Sequence, residues 1–208
     1  MRFSVCGCGC WTNASAMPVR HRSCSSTARM SLPRILGVAG SLRQGSYNRR
    51  LLELATDVLD DADWAIARLR AIPPYDADIE ARGLPPAVDT LRRQIEDADG
   101  IVIATPEYNR SVPGVLKNAI DWASRPAHRS PLVGKPIVLM AASSGRGGGR
   151  RALDHLRQIL ESTDARVLPR HLSVPAARER FDGIGLEGLH GQLRDVLAQL
   201  PVRITVHG

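Results

Sequence analysis

From Arg34 onward, short apolar runs alternate with stretches whose apolar residues recur at helical spacing, and that alternation leaves few folds open. Ile35 to Ala39, closed by Gly40, is apolar throughout, as a strand buried on both faces is. Leu51, Leu52, Ala55 and Leu59 then form a helical stripe. Trp64 to Leu69 reads as a second strand and leads into a proline-rich loop, Ile72-Pro73-Pro74-Tyr75-Asp76-Ala77-Asp78. Val88, Leu91 and Ile95 mark a helix, Gly100 to Thr105 a third strand, and Val115, Leu116, Ala119 and Ile120 the next helix. Pro113 stands near that helix start, where a missing N–H costs nothing. Ile137 to Ala142 is a fourth strand, and Ala152, Leu153, Leu156, Ile159 and Leu160 the helix after it. Arg166 to Leu168 is a weaker fifth strand, and Leu186, Leu189, Leu193, Val196 and Leu200 give a last amphipathic helix. Such a succession predicts an α/β fold: a five-stranded parallel sheet with helices on both faces.

The 208 residues suit one such domain, and no internal repeat or linker divides it. No apolar run approaches the ~20 residues of a membrane helix, so no membrane partner is expected. The first 29 residues differ from the rest: they hold no Asp or Glu, and they carry all four cysteines, Cys6, Cys8, Cys10 and Cys24. No smooth apolar segment separates a basic start from a small-residue cleavage site, which argues against a secretory signal. The Arg- and Ser-rich character fits a transit peptide loosely. A segment with so little to pack is expected to be a disordered extension, or an over-called start with initiation at Met30. That leaves 30–208 as the domain, with a cytoplasmic location expected.

The Cys-Gly-Cys-Gly-Cys run lacks a matched second ligand pair, and the six histidines show no paired spacing, so no metal site is expected. Residues 30–208 contain no cysteine, which excludes thiolate catalysis, disulfides and Cys-ligated clusters from the domain. The formal charge of +7 includes Arg2, Arg20, Arg22 and Arg29, so the domain itself carries only +3. That is weak support for nucleic-acid binding, and none is expected.

In a parallel sheet of this kind, ligands bind outside the carboxyl ends of the strands. Three loops fall there: 40–48, 105–111 and 143–149. The first, Gly40-Ser41-Leu42-Arg43-Gln44-Gly45-Ser46-Tyr47-Asn48, combines small residues with short donors and an arginine fork before a helix. It has the chemistry of a phosphate cradle, with an ordinary turn and a Ser N-cap as the competing reading. Ser46 stands where a nucleotide P-loop needs lysine, which disfavours ATP or GTP hydrolysis. The second, from Thr105 to Gly114, is bracketed by prolines. It suits a platform for a flat ring beside Tyr108, or a surface loop whose tyrosine fills a gap. The third, Ser143-Ser144-Gly145-Arg146-Gly147-Gly148-Gly149-Arg150-Arg151, fails the dinucleotide fingerprint because Arg150 replaces its third glycine. Its glycines allow either close approach to a ligand or simple flexibility. Lys117 and Asp121, one helical turn apart, read as an exposed ion pair, and His155 as a structural or surface residue.

Gly40-Ser41-Leu42-Arg43 with Ser46 and Asn48, Pro106-Glu107-Tyr108-Asn109, and Leu116-Lys117-Asn118-Ala119-Ile120-Asp121-Trp122 resemble the NADPH-dependent FMN reductase family. The resemblance spans roughly residues 34–168, and within the family it is strongest to the quinone, chromate and azo-dye reductase branch. It implies a flavodoxin-like fold and an NAD(P)H-dependent enzyme that passes two electrons through bound FMN to small acceptors. Ser41, Arg43, Ser46 and Asn48 would hold the FMN phosphate. Pro106, Glu107, Tyr108 and Asn109 would border the ring, and Ser143 with Gly145 would close its other edge. The flavin would carry the chemistry, with no catalytic side chain, NADPH or NADH as donor, and a homodimer or homotetramer as the assembly. A flavodoxin-type electron carrier docking onto a protein is the alternative, although carriers tend to be acidic. From 104 to 151, eight Arg or Lys stand against two acidic residues, a field that favours anions. Arg146 and Arg150 make the third loop more basic than in many relatives, and 175–186 looks short.

Overall fold

The computed structural model describes residues 32–181 and 185–201, so the expectations for residues 1–29 and for the cysteine run lie outside the described residues. The elements run β1 (Arg34–Ala39), α1 (Tyr47–Val58), β2 (Asp63–Ile66), a 3₁₀ turn (Leu69–Ala71), α2 (Ala77–Arg82), α3 (Pro86–Asp97) and β3 (Gly100–Ala104). They continue α4 (Gly114–Ala123), β4 (Pro136–Ala142), α5 (Arg150–Glu161), β5 (Arg166–Val167), β6 (Leu172–Val174), α6 (Ala177–Phe181) and α7 (Gly185–Leu197). The strands are parallel, in the order β2-β1-β3-β4-β5. This is the flavodoxin-like order, with its reversal between β1 and β3.

Alternation along the central strands divides the interior into two cores. Leu36, Val38, Ile101, Ile103, Ile137 and Leu139 face one side, with Val88, Leu91 and Ile95 of α3, Leu116 of α4 and Leu153 of α5. Ile35, Val102, Val138 and Met140 face the other, with Leu51 and Leu52 of α1 and Leu189 and Leu193 of α7. The chain therefore leaves β1 toward one face and β3 toward the other, which opens a crevice at the carboxyl edge between them.

Two differences from the sequence expectation have local causes. The second strand ends at Ile66 rather than Leu69, because β2 is a largely exposed edge strand and Leu69 turns inward in the 3₁₀ turn. The weak fifth strand is one of two pieces on the same edge of β4: β5 pairs with Pro136 and Ile137, and β6 with Met140 to Ala142. Pro169 lies between the pieces and has no N–H to continue the ladder.

Candidate functional site

The loop from Gly40 to Ser46 leaves its polar groups largely unspent. Gly40 donates to the Ala104 carbonyl at 2.8 Å, which seats the loop on β3. A side-chain carbon there would come within 2.8 Å of the Thr105 hydroxyl, so the approach requires glycine. Ser46 takes the N-cap position of α1, yet its hydroxyl makes no cap bond. Among the described residues, no protein group accepts from the backbone N–H of Gln44, Gly45, Ser46, Tyr47 or Asn48. Ser41 is buried, and its Oγ accepts from the Arg43 N–H at 3.3 Å, so its own proton is uncommitted. The Arg43 guanidinium folds back over Gly45, with Nη1 3.7 Å from where a side-chain carbon would sit. No acidic residue occurs before Glu53. Five consecutive N–H groups, two hydroxyls and a guanidinium form a donor set that fits a phosphate.

Asn48 also joins the loop to the sheet. Its Nδ2 donates to the Ala142 carbonyl at 2.8 Å, and its Oδ1 accepts from the Ala142 N–H at 2.7 Å. The side chain is buried and ties α1 to the end of β4, leaving one amide hydrogen and the backbone N–H for any ligand.

The second loop is rigid through its own bonds. Tyr108 and Ser111 exchange backbone hydrogen bonds at 3.0 Å in both directions, and Asn109 and Arg110 between them take φ of 50° and 66°. Two left-handed residues inside such a pair make a tight turn of the primed type. Tyr108, Asn109 and Arg110 are exposed at its tip, and Pro106 is half-buried. The Glu107 carboxylate instead turns to α5, accepting from the Arg151 N–H at 3.2 Å and from its guanidinium at 3.4 Å. Ser111 Oγ lies 2.7 Å from His155 Nδ1, so α5 grips both ends of the loop.

The third loop folds back on the sheet. Ser143 Oγ accepts from the Gly145 N–H at 3.1 Å, and the Gly145 carbonyl from Ala176 at 3.2 Å. Gly148 and Gly149 adopt φ of 59° and 79°. A side-chain carbon on Gly149 would sit 2.7 Å from the Ala141 Cβ. These two glycines let α5 approach β4, whereas Gly145, Arg146, Gly147 and Arg150 are exposed along the edge. Burial lowers the pKa of His171, with the charges of Arg157 and Arg150 adding to it and that of Asp154 opposing it.

The α4 motif anchors the proline-rich loop. Asn118 donates to the Pro73 carbonyl at 2.8 Å and accepts from Tyr75 N–H at 2.7 Å; the Trp122 indole donates to the same carbonyl at 2.9 Å. Lys117 and Asp121 pair at 2.7 Å on the exposed side of α4. Sequence reasoning passed over Arg70, whose Nη2 donates to the Leu42 carbonyl at 2.9 Å. Among the described residues no His, Cys, Asp and Glu cluster could hold a metal ion, and no helix is long and apolar enough to cross a membrane.

The family model for NADPH-dependent FMN reductases matches residues 33–179, a span that contains all three loops. The chain belongs to that family. It is thus an oxidoreductase with FMN and a reduced nicotinamide nucleotide as its cofactors. An NAD(P)H-dependent FMN reductase of Pseudomonas aeruginosa is 46% identical over 154 residues, covering 73% of this chain and 83% of that one. A quinone reductase of Escherichia coli is 47% identical over 139 residues, covering 64% and 72%. Among solved structures, the NAD(P)H:(acceptor) oxidoreductase FerB of Paracoccus denitrificans superposes with a TM-score of 0.70 at 26% identity, covering 81% of this chain and 97% of that one.

Proposed function

We propose that the loop from Gly40 to Ser46 holds the FMN phosphate, that the other two loops border the ring, and that quinones are the principal acceptors. The observation that carries this reading is the run of five N–H groups at the start of α1 that have no partner among the described residues, beside the sheet's reversal. Ser41, Arg43 and Ser46 add donors to that arc, and Asn48 acts mainly by fixing it to β4. The turn at Tyr108 to Arg110 presents a rigid face, with Pro106 behind it and Glu107 locking it to α5. Ser143 and Gly145 line the opposite edge. Bound FMN supplies the capacity to take two electrons from a nicotinamide and return them to an acceptor. The protein's residues bind, orient and shield, and none is needed as nucleophile or acid. Relatives named quinone reductases support the acceptor class. Chromate and azo compounds are further candidates, as are a cytoplasmic location and a homo-oligomeric state. We also take residues 30–208 as the functional unit.

The test is NADPH oxidation by the purified protein with FMN and 1,4-benzoquinone, together with flavin binding by Arg43→Ala. The variant should bind FMN about 10- to 150-fold more weakly, the equivalent of a charge-assisted contact of about 1.5–3 kcal/mol. Riboflavin, which lacks the phosphate, should bind both proteins alike. Equal weakening of both flavins would remove the loop from phosphate binding; a wild-type protein that leaves NADPH unoxidised without a protein partner would favour a carrier.

A further inference from the structure

Arg70 lies in the 3₁₀ turn after β2, 28 residues along the chain from the peptide it touches. Its Nη2 donates to the Leu42 carbonyl at 2.9 Å, and the N–H of the same peptide unit, on Arg43, donates to Ser41 Oγ at 3.3 Å. The Leu42–Arg43 peptide is therefore held at both ends. This matters because the arc of N–H groups begins just after it, at Gln44. An anion is bound by backbone amides only while the carbonyls of the same turn point away, since an inward carbonyl oxygen repels a phosphate oxygen. With its oxygen pinned to Arg70, this peptide cannot flip to present that oxygen. Its N–H in turn keeps Ser41 Oγ as an acceptor, so the hydroxyl proton is left for the ligand.

We propose that Arg70 is a positioning residue for the phosphate. It sets the Leu42–Arg43 peptide so that the N–H arc and the Ser41 hydroxyl face the anion. The proposal rests on the reading that this loop takes the FMN phosphate. Nothing in the local sequence marks the residue, because its partner is a main-chain oxygen on another loop.

The test compares FMN and riboflavin binding by wild type, Arg70→Ala and Arg70→Lys, by flavin fluorescence titration over a range of KCl concentrations. Arg70→Ala should bind FMN about 5- to 10-fold more weakly, the scale of one hydrogen bond, with riboflavin affinity and the unfolding midpoint of the flavin-free protein unchanged. The salt dependence of FMN binding should keep its slope, and Arg70→Lys, which still reaches the carbonyl with a donor, should recover most of the loss. Unchanged FMN affinity in Arg70→Ala, or a loss shared by riboflavin, overturns the proposal. A flatter salt slope overturns it too, by making Arg70 a direct charge partner of the phosphate. Wild type that does not prefer FMN over riboflavin would bring down the phosphate assignment itself, and that result is visible before any variant is made.

Discussion

The first and third loops both join a strand to a helix at the same edge of the sheet, and both are rich in glycine and serine. They use those residues in opposite ways. In the first, among the described residues, Gly45 packs against nothing but its own Arg43, and five successive N–H groups have no protein partner. In the third, Gly149 has Ala141 against it, the Gly148 carbonyl accepts from Ser173 Oγ at 3.0 Å, and Ser143 is bonded back to Gly145. One loop leaves its glycine unpacked beside a run of open donors; the other packs its glycines against the sheet and the segment after it. Glycine in a strand-to-helix loop therefore marks two separate needs, room for a ligand and room for a helix, and composition alone does not tell them apart.

The sharpest way to break this contrast is to add bulk to each loop. Gly149→Val places a β-branched residue at φ 79° against Ala141 and should destabilise the fold by about 4 kcal/mol or more. Gly45→Ala should stay within about 0.5 kcal/mol of wild type. Urea unfolding of the two flavin-free variants checks this, and comparable losses would erase the distinction between the loops.

A smaller effect is expected at the joint between the loops. Asn48→Ala strips the Ala142 N–H and carbonyl of their partners, and should cost about 2–3 kcal/mol of stability. FMN affinity should fall along with stability, and by more than riboflavin affinity, because the joint steadies the loop proposed to take the phosphate. A selective loss of FMN with normal stability would return the Asn48 side chain to the phosphate site.

The smallest effect concerns the exposed rim of the third loop. Replacing Arg146 and Arg150 with Gln should slow turnover with NADPH roughly two- to fivefold at low salt and flatten its salt dependence, with less change for a neutral quinone. Stopped-flow reduction of the loaded enzyme at several ionic strengths measures this. Equal slowing of charged and neutral substrates would leave the rim without a steering role.

What could be read from sequence follows the same division. β1, β3 and β4 were legible because they are buried on both faces and so are apolar without interruption. The end of β2 is not legible, because an exposed edge strand and the 3₁₀ turn after it share no clean period. α2, α6 and β6 are too short to show any. The first loop was recognisable as a set of donors because the relevant groups are its own backbone and neighbours. The directions taken by Asn48 and Glu107 were not, since their partners lie 94 and 44 residues away. Arg70 is hidden in the sequence for the same reason, with its partner 28 residues away.

The bond from Asn48 to Ala142 also sets a clock on the growing chain. The loop it steadies is made early, but its anchor is synthesised 94 residues later, and closing so long a stretch is entropically costly until the central strands have paired. At ordinary rates of translation that interval lasts roughly 5–20 s. During it the loop lacks its tie to β4, although Arg70 and Ala104, its other partners, are made sooner. A loop that is contiguous in the gene thus waits for a partner made much later in the chain.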